Sequence, residues 1–139
     1  MNDKIYKLLI KLSKKALKHN EVPIAAVLVN NNKIVSYAYN KRYHSNCVFD
    51  HAEIIAIRKY AKKINDWRLN KCTLYITIEP CDMCKQFIRE SRVDNVYYLF
   101  DKLPSKKGFF KTNFLKLDNE DNNWTEYKEI SDFFWKNKR

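Results

Sequence analysis

Apolar residues recur three or four positions apart near the start of the chain, where Ile5, Leu8, Leu9, Leu12 and Ala16 form one stripe. That spacing predicts an amphipathic helix over 3–19, capped near Asn2 or Asp3, with its apolar face against a sheet. The period then changes. Ile24 to Val29 is an unbroken apolar run suited to a buried strand, Asn30-Asn31-Asn32 supplies turn chemistry, and Lys33 to Tyr39 returns as the second arm of a hairpin. Residues 40–49 are polar and irregular. Asp50 is placed to cap a helix over 51–63, Cys72 to Ile78 is a β-branched strand, Pro80 opens a helix reaching 92, and Val93 to Phe100 is a further strand.

Beyond Asp101 the pattern weakens. Residues 101–123 hold Pro104 and the only glycine, Gly108, with a short strand expected over 114–117; Trp124, Tyr127, Ile130 and Phe134 then return to helical spacing and predict a terminal helix. The order α-β-β-α-β-α-β implies an α/β protein with a mixed central sheet and helices on both faces, a three-layer α/β/α arrangement. Helices that follow adjacent parallel strands begin at one edge of the sheet, where open α/β sheets place their ligands. With 139 residues and no internal repeat, residues 1–139 are expected to form a single domain.

Charge adds a partner class. The chain carries 27 Lys+Arg against 16 Asp+Glu, a net +11, which favours a polyanion through phosphate contacts and counterion release. Lys4, Lys7, Lys11, Lys14, Lys15 and Lys18 fall within an arc of roughly 100° on a helix of 3.6 residues per turn. Such a ridge is most often a solvated face; a phosphate-contacting surface is the sharper meaning. Lys7 and Lys11 interrupt the N-terminal apolar residues, so no secretory core forms, and no run reaches the length of a membrane span. A soluble cytoplasmic protein is expected. In a reducing compartment its four cysteines point to metal binding or burial rather than disulfides.

Three histidines limit the metal sites that can be built. His19 ends the first helix, where a surface imidazole near the C-terminal dipole is ordinary. His44 and Cys47 with Cys81 and Cys84 would make a closed Cys3His site of structural zinc. His51 with the same two cysteines would leave zinc three protein ligands and one exchangeable position, the catalytic pattern. Side chains in a first helical turn lean beyond the helix end, so His51 and Glu53 converge with Cys81 and Cys84 at two helix N-termini, where the dipole favours thiolates. This geometry favours the catalytic site. A glutamate two residues from the histidine can take a proton from water and pass it to a leaving group. Cys72 reads as a small apolar core residue.

His51-Ala52-Glu53 together with Pro80-Cys81-Asp82-Met83-Cys84 resembles the zinc-dependent cytidine/deoxycytidylate deaminase superfamily. Within it the chain is most similar to bacterial tRNA-specific adenosine deaminases, through Glu21 to Val27, "HAEIIAIR", "TLYITIEPCDMC" and Ser91-Arg92-Val93, with a final "SDFF" like that family's closing helix. The resemblance implies a cytidine-deaminase-like fold, one zinc per chain held by His51, Cys81 and Cys84, and Glu53 as proton shuttle. It also implies a homodimer that converts the wobble adenosine of a tRNA anticodon to inosine. Asn40 matches an asparagine that contacts the target nucleoside, though it equally suits turn chemistry at a strand end. Val22 and Pro23 lie where the family lines its base pocket, and they equally suit the buried entry to the first strand.

Val48-Phe49-Asp50 replaces a proline-containing segment before the histidine, Leu99-Phe100 replaces small residues, and residues 101–108 only loosely match the family's loop. Those departures leave open a deaminase of a free base or nucleotide such as cytosine, guanine or deoxycytidylate, which needs no lysine ridge. A non-catalytic zinc-stabilised RNA-binding module is the remaining alternative; Glu53 argues against it.

Overall fold

A computed structural model of the chain describes residues 1–102, 112–117 and 124–137. It comprises two compact units, Met1–Pro104 and Ser105–Arg139. The first contains α1 (Asp3–Lys18), β1 (Ala25–Asn30), β2 (Lys33–Tyr39), α2 (Arg42–Ser45), α3 (Ala52–Ile64), β3 (Cys72–Ile78), α4 (Asp82–Glu90) and β4 (Asn95–Phe100); the second contains α5 (Trp124–Asn137). The short strand expected over 114–117 does not form. Phe114, Leu115 and Leu117 are exposed and lack strand pairing, so an apolar alternation without a neighbouring ladder was not enough to make a strand.

The four strands lie in the order β2-β1-β3-β4. β1 is antiparallel to both β2 and β3, and β3 is parallel to β4. β2 and β3 therefore run in the same direction with β1 between them, so the helices that follow them begin at the same edge of the sheet although the two strands are not adjacent. The N-terminal end of β1 lies between their C-terminal ends, with Ala25 opposite Tyr39 and Ala26 opposite Ile76. The hairpin turns through Asn31 and Asn32 at φ 51° and 60°, the left-handed pair that asparagine tolerates and that matches strand twist.

β1 is continuously apolar because both of its faces are covered. Ala25 and Val27 pack with Ile5, Leu9 and Leu12 of α1. Ala26 and Leu28 face the other way, joining Leu74 and Ile76 of β3, Ile54 and Ile57 of α3, and Ile88 of α4. Helices on the two faces complete the three layers. α1 is capped as expected, Asn2 Oδ1 accepting from Ile5 N at 2.9 Å.

Candidate active site

Two helices begin with the residues that matter chemically. Asp50 does not cap α3: His51 is its N-cap, in extended conformation at φ −75° and ψ 150°. Cys81, at φ −67° and ψ 168°, is the N-cap of α4, which starts at Asp82, two residues after the point the Pro80 signal suggested. Each cap hands its carbonyl to the first helical bond, His51 O to Ile55 N and Cys81 O to Lys85 N. Their side chains are thereby left at the helix mouths. Glu53 and Cys84 sit within the first turns behind them.

The two mouths meet. His51 Nδ1 lies 3.8 Å from Cys81 Sγ and 3.4 Å from Cys84 Sγ, and Cys84 Sγ donates to Glu53 Oε2 at 3.6 Å. One ligand atom from each of His51, Cys81 and Cys84 falls within 4.8 Å of the others. Tetrahedral zinc, with bonds near 2.0–2.3 Å, separates its donors by about 3.6 Å, so two thiols and an imidazole at these distances fit that ion. His44 and Cys47 do not join the group, which removes the closed Cys3His arrangement.

Environment separates the four groups. The hydrogen bond from Cys84 and that with His51 pull the Cys81 thiol down to about 3. The same bond with Cys81, together with burial and the Glu53 charge, pushes Cys84 upward. His51 is raised by its hydrogen bond to Cys81. Glu53, only 3% exposed, is raised chiefly by desolvation, against the opposing pull of its own backbone N–H and His51. A carboxyl held above its usual range is better matched to moving protons near neutral pH than a solvated one.

Three other sequence-derived residues lie at the sheet edge. Asn40 follows β2, is buried, and donates its backbone N–H to Ile24 O at 3.0 Å. Its side-chain amide makes no hydrogen bond among the described residues, leaving donors and an acceptor free for a ligand. Val22 and Pro23 are exposed and so are not a buried entry to β1; Ile24 N bonds back to Val22 O at 2.7 Å, a three-residue turn to which proline's fixed φ is suited and which holds the pair outside the sheet. The loop after β2 is tied down where Lys41 N donates to Asp50 O at 2.8 Å.

Glu21 is the residue whose role was missed. It is 3% exposed, and its carboxylate accepts from His44 N at 2.7 Å and Tyr43 N at 3.3 Å. α2 has no side-chain cap of its own, so Glu21 caps it from the turn before β1 and fixes the 41–50 loop. Its only sequence signal is a carboxylate beside a buried strand. Glu21→Ala should cost about 1–3 kcal/mol by stranding those two amides, read as a lower midpoint in urea denaturation; an unchanged midpoint would show that the cap is dispensable.

The sequence model of the cytidine and deoxycytidylate deaminase zinc-binding region matches residues 1–100. A tRNA-specific adenosine deaminase of Bacillus subtilis (strain 168) is 43% identical over 97 residues, 69% of this chain and 60% of that relative's length. A solved structure from work on A-to-I editing by tRNA:A34 deaminases superposes with a TM-score of 0.68 at 34% identity, covering 70% of this chain and 75% of that one. Guanine deaminase from B. subtilis superposes at 0.76 over 96% of both chains, with 24% identity; at that identity the fold alone is shared. The pairing of the two helix mouths and the match over residues 1–100 have one meaning: the chain belongs to the cytidine and deoxycytidylate deaminase zinc-binding family.

Proposed function

We propose that the chain is a hydrolytic zinc deaminase that converts the wobble adenosine of a tRNA anticodon to inosine. The observation that carries the substrate is its 43% identity to a protein named a tRNA-specific adenosine deaminase. In this reading His51, Cys81 and Cys84 hold the metal and Glu53 is the catalytic residue. Zinc bound there supplies Lewis-acid activation of a water at neutral pH. Glu53 would take a proton from the attacking water and give it to the departing amine, so that the water oxygen stays as the C6 carbonyl and the 6-amino group leaves as ammonia. Asn40 holds the nucleoside through its free amide, with Val22 and Pro23 at the base.

Charge supports an RNA substrate. All six lysines of the α1 ridge are exposed, and among the described residues Lys7 alone of them pairs with an acid, the equally exposed Asp3 at 2.9 Å, a contact of small energetic weight. No described helix is long and apolar enough to cross a membrane. Homodimerisation and a cytoplasmic location belong to the same reading.

A substrate panel tests it. Purified protein is incubated with an arginine tRNA anticodon stem-loop and, separately, with cytosine, guanine, adenosine and deoxycytidylate, and inosine and ammonia are assayed. Inosine at the wobble position is expected. Ammonia release confined to the small molecules would replace this reading with free-base or nucleotide deamination.

A further inference from the structure

Beside the candidate active site, the loop after β2 and the outer side of α3 flank an open groove of about 510 Å³. Its walls carry four cations, Lys41, Arg58, Lys59 and Lys62, against a single carboxylate, Asp50. Two elements distant in sequence supply them. None of the four forms an ion pair among the described residues, where the bridges found are Lys7–Asp3, Arg68–Asp66, Lys85–Glu79, Lys102–Asp82 and Lys128–Asp132.

Two of these cations are held in place by neutral groups. Lys59 Nζ donates to Tyr37 O at 2.8 Å and sits 5.2 Å from the Tyr37 ring centre; Lys41 Nζ sits 5.2 Å from the Tyr39 ring centre. Their positive charge is positioned but not neutralised. Lys59 is accordingly lowered, first by desolvation and then by Lys41. Arg58 and Lys62 are exposed and have no partner among the described residues. Gathering like charges costs free energy unless an anion shares the space.

We propose that this groove binds backbone phosphates of the RNA substrate flanking the target nucleotide. Position favours that occupant: Lys41 directly follows Asn40, and Asp50 directly precedes His51, so the groove begins one residue from the site on two segments and lies within reach of the nucleotides beside the target. A second copy of this chain is disfavoured on a two-fold axis through the groove, where the same cations would face each other. The inference rests on the RNA-substrate reading and extends it to a surface outside the metal site.

The test is the salt dependence of binding. Fluorescence anisotropy with a labelled anticodon stem-loop is measured from 50 to 300 mM KCl, roughly spanning the range where counterion release is resolved. It compares wild type, Arg58→Gln/Lys62→Gln, and Lys33→Gln/Lys71→Gln, a control that removes equal charge from exposed lysines at the opposite, N-terminal ends of β2 and β3. The groove variant should flatten the slope of log affinity against log salt by about 1.5, and raise KM for the stem-loop without changing kcat; the control should do neither. Equal slopes in the two variants would overturn the inference, as would a change in sedimentation of the groove variant without a change in RNA binding. Because anisotropy reads binding directly, these outcomes are obtained even where the stem-loop is not deaminated, which is the separate failure of the substrate reading.

Discussion

Replacing Glu53 by glutamine should lower turnover by roughly 10²- to 10⁴-fold, the usual contribution of a positioned proton-transfer group, while zinc remains at one per chain. The substitution keeps the shape of the side chain. This matters because Glu53 is buried and accepts from Cys84 Sγ at 3.6 Å, and truncation to alanine would confound a lost proton carrier with a cavity beside a metal ligand. Glutamine preserves the packing but cannot take a proton from water. The measurement pairs ammonia release with metal analysis of the same preparation. Retained activity would remove Glu53 from the proton path; parallel loss of zinc would make it a structural support of the site.

That residue illustrates what the sequence made legible. His51 and Glu53, like Cys81 and Cys84, are two or three positions apart at helix starts, so local helical geometry alone brings each pair to a mouth. Strands were readable for a similar reason: the solid apolar run at Ala25–Leu28 reports two covered faces, and Asn31-Asn32 reports the turn. Other features depend on residues far apart. Nothing local places β1 between β2 and β3, or directs Glu21 to amides 22 and 23 residues away. Asp50 has good capping chemistry, yet His51 takes the cap, because the backbone turns into the helix one residue later. Phe114, Leu115 and Leu117 show the converse error, an apolar pattern with no ladder to join.

Cys84→Ala should abolish zinc binding and, with it, activity, whereas Cys72→Ala should retain both. The contrast is informative because both thiols are fully buried in the same core cluster. Cys72 lies at the start of β3, where burial raises its thiol, and it is not among the three residues whose donor atoms converge. Cys84 is. If zinc is bound at about 100 times its dissociation constant, it stabilises the fold by about 2.7 kcal/mol, or about 10 °C in Tm for a domain of this size. EDTA should therefore lower the melting temperature of wild type and of Cys72→Ala by that amount. It should leave Cys84→Ala unchanged, since that protein has no bound metal to lose. Each alanine also removes a buried sulfur, a packing cost common to both variants, so the chelator response isolates the metal. A response to EDTA that persists in Cys84→Ala would place the ion elsewhere. The double replacement of His44 and Cys47 supplies the remaining check: zinc should stay, because neither residue reaches the helix mouths where His51, Cys81 and Cys84 meet.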